Sequence, residues 1–536
     1  MAGGNWPRMP SFLRAFQAVA AHLLGGVRRA WLSLLPPLLF LPMLLAPPVN
    51  HDVAAVLSFS ERWLAGEQLY VDLIDVNPPL IYVLNLIPAA IAQMTPLDGV
   101  VALQLCLITL GLALWLLALR VRDRAAEGPV ERALLDVVPG LVAFGAGYDF
   151  GQRETLMAAL ALPYLLAAAR RIDGARPSGN AAAALLAAVG FALKPHFLVV
   201  PALVELAVVL GRARHIGLPA VRASLRDPVP WMMAAVWLVY AVSLPLVFPD
   251  YLGVVVPLVL DYYLDNGGQT PWGLLQLPRM GTIVLLLVPL AAIALRAPSR
   301  LGAGLPRVLA LAALGAVVSA LAQHKGWSYH IMPIELFTCS LGSVLAARWL
   351  DGLGAGVHPR SAMRVAAGLA ALFGLYLVSE GEAPWNQLSW RGSDGYRLTA
   401  LLNAEAAGER VLVLSPGVAP IYPALNYAHA RMTLRTMNIW LLEGAYLACP
   451  DGGKRYRDVW EMGRPEFFLY RTVAEDFARA PPAAVVVDNR NAIPRCADED
   501  FYLIAYFSRH QLFAEVWSHY ALAGRWGRYS VYARRD

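Results

Sequence analysis

Apolar residues fill most of the first two thirds of the chain in long blocks, separated by short polar stretches. Eleven such blocks, near 30–49, 98–119, 133–147, 155–170, 179–193, 196–211, 229–248, 281–296, 306–322, 331–349 and 364–379, each predict a helix. Most approach the roughly 20 apolar residues that a helix needs to cross a hydrocarbon core about 30 Å thick. A shorter stretch, Pro79 to Met94, opens on Pro78-Pro79 and contains Asn85 and Pro88, so its periodicity leaves open whether it crosses. From about Glu380 the pattern changes. Val411-Leu412-Val413-Leu414 before Ser415-Pro416-Gly417, and Val485-Val486-Val487 before Asp488, predict buried parallel strands closed by turns, and Tyr529-Ser530-Val531-Tyr532 alternates as another strand. The expected fold is a polytopic α-helical membrane protein of about 11 transmembrane helices with a C-terminal extracytoplasmic α/β domain.

Charge decides the short stretch. If Pro79–Met94 lies at the interface, the connections on the N-terminal side collect Arg8, Arg14, Arg28 and Arg29 and later clusters such as Arg120, Arg122, Arg124, Arg212, Arg214, Arg222 and Arg226. The opposite side then holds only Arg62, Arg153, Lys194, Arg279 and Lys325. Cytoplasmic loops carry the excess of basic residues, so the stretch is expected to be a juxtamembrane helix. Residues 1–29 are then a cytoplasmic N-terminal segment, 30–379 a transmembrane domain with a first outer loop at 50–97, and 380–536 a periplasmic domain. The implied location is the inner (plasma) membrane. The run Ala30–Val49 exceeds the 7–15 apolar residues of a signal peptide, so it is expected to stay as a first membrane helix.

Composition agrees. Of 536 residues 58% are hydrophobic and 15% charged, and mean hydropathy is +0.51; a soluble domain has about 45–50% and 25%. This excludes a soluble enzyme and a disordered chain. The net charge of +6 follows from loop topology and does not imply a nucleic-acid partner. Cys106 and Cys339 lie in apolar runs, whereas Cys449 and Cys496 share the polar C-terminal part and are a disulfide pair if that part meets an oxidising compartment.

Chemistry concentrates at the outer junctions. The first outer loop starts with His51-Asp52; a carboxylate at the membrane surface has a raised pKa unless it is paired, and suits proton abstraction. The same Asp52 could instead cap a membrane-surface helix over Val53–Leu64. Gly147-Tyr148-Asp149-Phe150-Gly151-Gln152-Arg153-Glu154 packs two acids, an arginine and an amide between helices, as a functional group or as a helix-orienting ion pair. Lys194-Pro195-His196 and His324-Lys325-Gly326-Trp327-Ser328-Tyr329-His330 put cations where cations are scarce. With Arg153 they suit a phosphate, although lysines at helix ends also snorkel. Asp250 to Arg279 is expected to be a long outer loop, either a cover for a site or a connector.

These features, together with "GEQLYVDLIDVNPPLIYVL", resemble the GT-C superfamily of membrane glycosyltransferases, which includes protein O-mannosyltransferases and the lipid A aminoarabinose transferase. His51-Asp52 resembles the position of the family's first-loop acid. Tyr70 and Asn77-Pro78-Pro79-Leu80-Ile81-Tyr82 resemble its later first-loop segment, with Asn77 where the family often has Lys, and Gly147-Tyr148-Asp149 resembles its second-loop acidic motif. The resemblance implies an inverting transfer of a sugar from a polyprenyl-phosphate donor, on the outer side of the membrane, to a hydroxyl of a lipid, glycan or protein acceptor. Asp52 and Asp149 are then the expected catalytic pair. His51, Tyr70, Asn77, Tyr82, Arg153, Glu154, Lys194, His196, Lys325, Tyr329 and His330 are the expected substrate-binding residues. No cofactor is expected; a divalent metal, which oligosaccharyltransferase relatives use, is compatible but not favoured. The rival readings are a transporter or flippase, against which stands the lack of repeated halves, and a polymerase or ligase for a lipid-linked glycan.

Overall fold

The computed structural model describes residues 38, 40 and 44–535, apart from 173–174, 176–178, 218, 264–266, 297–300, 355–357, 381–385, 492 and 497. The first expected span, 30–49, therefore lies largely outside the described residues.

Among the described residues eight helices are long and apolar enough to cross a membrane: α3 (Gly99–Val121), α4 (Arg153–Ile172), α6 (Pro195–Ala213), α7 (Pro228–Val247), α8 (Pro278–Arg296), α9 (Leu305–Gln323), α10 (Ser328–Gly352) and α11 (Pro359–Ser379). Three more elements lie among them, namely α1 (His51–Leu64), α2 (Leu80–Met94) and the 13-residue α5 (Asn180–Ala192). Their starts are written in the sequence. Asp98 and Asp227 accept backbone N–H groups at the heads of α3 and α7, and proline stands in the first turn of α7, α9 and α11, where its missing N–H costs nothing. The chain is a polytopic helical membrane protein. Burial within the bundle is uneven: 89% of the apolar window of α4 and 83% of that of α10 are enclosed, against 11% of α7. Each of the two enclosed helices opens on polar side chains, Arg153 and Glu154 on α4 and Tyr329 and His330 on α10.

Two expectations need correction. The block at 133–147 is not one helix but two, Pro129–Leu135 and Val138–Phe144. Pro139 cannot donate to the carbonyl four residues back and its ring crowds that turn, and the break is held by Asp136, which accepts from Arg122 (2.7 Å) and Arg124 (2.8 Å). The stretch after Asp250 is not an open loop at its start: Tyr251–Tyr263 is helical, widening into five-residue turns on both sides of a short α segment at Val256–Leu258.

The C-terminal part holds a five-stranded mixed sheet. Its strands β1 (Arg410–Leu414), β2 (Arg431–Met432), β3 (Ala484–Asp488), β4 (Tyr520–Trp526) and β5 (Tyr529–Arg534) lie in the order β2-β1-β3-β5-β4. β1 runs parallel to β2 and β3, with Val413 opposite Val486, and β5 runs antiparallel to β3 and β4. β1 and β3 are almost wholly buried because helices Asp394–Ala406 and Arg464–Arg479 contribute to the same core, which explains their unbroken apolar runs. Cys449 and Cys496 are joined by a disulfide.

This part sits directly on α1 and the loop after it. Tyr427 Oη accepts from the Val49 N–H at 3.0 Å, Asn426 donates to the Ala54 carbonyl at 3.0 Å, and Arg62 donates to the Leu434 carbonyl at 3.0 Å. Tyr263 meets Trp440 edge-on at 5.3 Å. The C-terminal part thereby fixes the head of α1, where the candidate site begins.

Candidate active site

The site starts with a contest for the N-cap of α1. Asn50 and Asp52 are both good caps, and Asn50 takes the role: its Oδ1 accepts from the backbone N–H of Asp52 (2.9 Å) and of Val53 (3.4 Å). The helix therefore begins at His51 and not after Asp52, which leaves the Asp52 carboxylate free of capping duty, with its side chain 22% exposed.

Asp52 Oδ2 accepts from Gln152 Nε2 at 3.0 Å, and Oδ1 lies 3.6 Å from His51 Nε2. The same Gln152 nitrogen donates to Asn50 Oδ1 at 2.9 Å, and Asn50 Nδ2 donates in turn to Asp149 Oδ1 at 3.2 Å. Asn50 and Gln152 thus bridge the two acids. His51 uses its backbone N–H and Nδ1 on the hydroxyl of Tyr148, at 3.2 and 2.9 Å. The two carboxyls have opposite electrostatics. Burial alone would raise Asp52, but His51, Arg153, the Gln152 hydrogen bond and Lys194 together hold it below the usual carboxylate value. Burial pushes Asp149, 2% exposed, up to about 7 against the charge of Arg279 and the Ser328 hydroxyl, and Glu154 and Asp52 add to the rise.

Arg153 opens α4. Its side chain is buried, its Nη1 has no hydrogen-bond partner among the described residues, and it lies within electrostatic reach of Glu154, Tyr329, Asp52 and Asp75. Glu154, fully buried, accepts from Lys194 Nζ at 2.6 Å and lies 3.7 Å from His330 Nε2. Lys194 also donates to Gln323 Oε1 at 2.8 Å and stands over the Tyr329 ring at 5.8 Å. Burial pulls the Lys194 ammonium down to about 8, although Glu154 opposes the fall. Lys325 donates to the Tyr263 carbonyl at 2.5 Å and lies over the Tyr263 ring at 4.3 Å. His196 packs edge-on against Phe197, 4.9 Å between rings, and lies within electrostatic reach of Lys194 and Arg153.

The later first-loop residues gather on Asp75. Its Oδ2 accepts from Tyr82 Oη at 2.6 Å and from the side-chain and backbone nitrogens of Asn77 at 2.6 and 2.9 Å, while Tyr70 Oη donates to the Asn77 carbonyl at 2.5 Å. Arg153, within reach of both Asp52 and Asp75, connects this group to the first. His51, Asp52, Asp149, Arg153, Glu154, Lys194, Tyr329 and His330 thus form one continuous polar group. Tyr70, Asn77 and Tyr82 border it through Asp75, and Lys325 borders it through Tyr263 and Trp327.

The expected site residues did not include Asn50, Asp75, Gln152 or the pair Arg279–Glu335, whose two contacts measure 2.8 and 2.7 Å. Asn50 had a signal, a cap residue two positions before Asp52. Glu335 had another, a lone acid inside an apolar run, where a charge needs a partner. Among the described residues no group of three or more His, Cys, Asp or Glu is placed to hold a metal ion.

No family model and no curated protein matches this sequence. Among solved structures, a crystal structure of ArnT from Cupriavidus metallidurans bound to undecaprenyl phosphate matches over 95% of this chain and 97% of that one, with a TM-score of 0.53 and 12% sequence identity. The chain therefore has the fold of that ArnT structure, a helical membrane part followed by a C-terminal α/β sheet.

Proposed function

We propose that this protein is a membrane glycosyltransferase that moves a sugar from a polyprenyl-phosphate donor to an acceptor hydroxyl on the extracytoplasmic side, with inversion. The observation that carries this reading is that Asn50 caps α1, so that Asp52 is ionised, partly exposed and unclaimed by its own helix, next to a buried cation with an unpartnered donor, Arg153. A fold shared with a protein seen bound to undecaprenyl phosphate supports the choice of donor lipid. The arginine asymmetry of the loops supports the orientation, with residues 380–536 outside.

In the proposed reaction the acceptor oxygen attacks the anomeric carbon, its proton passes to Asp52, and the bond from that carbon to the phosphate oxygen breaks. Polyprenyl phosphate leaves carrying the negative charge, toward Arg153, with Lys194, Lys325 and His330 behind it. A general base contributes roughly 10²–10⁴-fold, and positioned cations on a charged leaving group add to that. Donor binding also tunes the base. A phosphate that occupies Arg153 and Lys194 weakens two of the influences that hold Asp52 low, so its affinity for a proton rises when the donor is present.

Asp52→Asn tests the reading, because the cap on Asn50 does not depend on residue 52. Transfer from a polyprenyl-phosphate sugar is expected to be lost by at least about 10²-fold, with expression and donor binding retained. Full activity in this variant, with a donor that the wild type uses, removes Asp52 from the chemistry.

A further inference from the structure

Away from the membrane helices, the strand ends on one side of the sheet carry a row of arginines. Arg431 at the head of β2 donates its backbone N–H to the Glu409 carbonyl (2.9 Å), Ala483 donates to the Arg410 carbonyl (2.9 Å), and Arg534 at the end of β5 donates to the Ala483 carbonyl (3.1 Å). The order across the sheet at this level is therefore Arg431, Arg410, Ala483, Arg534. All four line a cavity of about 460 Å³ together with Gly408, Glu409 and Pro481, and Glu409 is the one acid among these seven.

The arrangement is unfavourable without an occupant. Arg410 and Arg431 are register partners on parallel neighbours, so both side chains leave the same face of the sheet, and like charges in register across a sheet destabilise it. Neither makes an ion pair or a side-chain hydrogen bond among the described residues, and the acid that Arg431 senses, Glu61, lies on α1 outside this cavity. Ala483, the small residue of the row, leaves open the space between Arg410 and Arg534. An anion held there accepts from the planar N–H forks of Arg410 and Arg431 together, which is the recognition that guanidinium provides for phosphate.

We infer that Arg431, Arg410 and Arg534, spaced by Ala483, form a binding site for a phosphate-type dianion on the C-terminal sheet. No residue of the candidate active site takes part, so the inference stands apart from the proposed transfer reaction. Two sources share this chemistry, free phosphate and a phosphate monoester on a lipid headgroup. The second is within reach because Arg431 also lines a neighbouring cavity of about 330 Å³ bounded by Ala89, Ala92 and Gln93 of α2.

Calorimetric titration of the full-length protein in neutral detergent, in phosphate-free buffer, tests the site. Inorganic phosphate and dihexanoyl phosphatidic acid are the probes, and dihexanoyl phosphatidylcholine is the control. Wild type is expected to bind at least one probe saturably, and Arg410→Gln or Arg431→Gln to weaken that binding about tenfold or more, with Arg410→Lys in between. Arg525→Gln on β4, outside the row, is expected to leave binding unchanged. Phosphatidic acid binding more tightly than inorganic phosphate identifies a headgroup; the reverse identifies free phosphate. No saturable binding of either probe, binding indifferent to both substitutions, or an equal loss in Arg525→Gln overturns the site. Arg431 is exposed on a two-residue strand, so its variant keeps the test decisive if Arg410→Gln disturbs the fold.

Discussion

Gln152 and Asp52, 100 positions apart in sequence, are joined at 3.0 Å, and the same Gln152 amide holds the Asn50 cap at 2.9 Å. One nitrogen therefore sets both where α1 begins and how the Asp52 carboxylate is turned. This makes Gln152 a positioning residue in the proposed reaction. Gln152→Leu is expected to lower kcat about tenfold, the worth of one hydrogen bond to a charged group, with KM for the donor little changed. It also removes one of the influences that hold Asp52 low, so the acidic limb of the rate profile is expected to move to higher pH. A purely structural role lowers activity without moving that limb, and the pH–rate profile separates the two.

Asp149 gives the stability of the protein a definite slope with pH. Its carboxyl keeps a proton up to about pH 7 in the folded protein and releases it near 3.8 when exposed. The unfolded chain therefore binds fewer protons between these values, and Asp149 makes folding less favourable as pH rises through this window. Asp149→Asn keeps an acceptor for Asn50 Nδ2 and never ionises. Its melting temperature is expected to match wild type near pH 4 and to exceed it at pH 8. Parallel curves for the two proteins across this range contradict the assignment.

The sequence displayed local features and concealed distant ones. Helix positions followed from apolar blocks, and the strands at 411–414 and 485–487 followed from β-branched runs ended by turn residues. The break at Asp136-Val137 was missed because the apolar count over 133–147 outweighs a single Pro139 in a block. The helical start of the 250–279 stretch was missed because its apolar residues number too few to announce a span. Asp52, Arg153 and Lys194 were visible as ionisable residues at helix ends. Their arrangement was not, since the bonds Asn50–Asp149, Gln152–Asp52 and Lys194–Glu154 join residues 99, 100 and 40 positions apart. Asp75 looked like one acid among several in its loop, and only folding brings Tyr82 back onto it.

Glu154 and Lys194 form a buried pair between α4 and the head of α6, and breaking such a pair from one side strands a charge. Lys194→Met is expected to destabilise the protein by about 3–5 kcal/mol, whereas Glu154→Gln combined with Lys194→Met recovers much of that loss. Donor affinity is expected to stay weak in the double variant, because the cation behind Arg153 is still missing. Thermal unfolding and donor binding measured on the same preparations separate packing from recognition. Recovery of both in the double variant shows the pair to be structural, and leaves phosphate contact to Arg153 and Lys325.

The Cys449–Cys496 bond closes a loop with a sequence separation of 47. A loop of that size contributes roughly 3–4 kcal/mol in the chain-entropy account. The ends of this loop are also held without the bond: Tyr456 meets Phe501 edge-on at 4.9 Å and its hydroxyl donates to the Tyr502 carbonyl at 3.1 Å. The double variant Cys449→Ser, Cys496→Ser is therefore expected to fold and to keep its activity, with a melting temperature lowered by several degrees and a loss at the lower end of that range. The same bond reports on orientation, because a disulfide persists only where the compartment is oxidising. In protein unfolded without reductant, a thiol reagent is expected to label Cys106 and Cys339 alone, and labelling of all four cysteines places residues 380–536 on the reducing side and inverts the proposed topology.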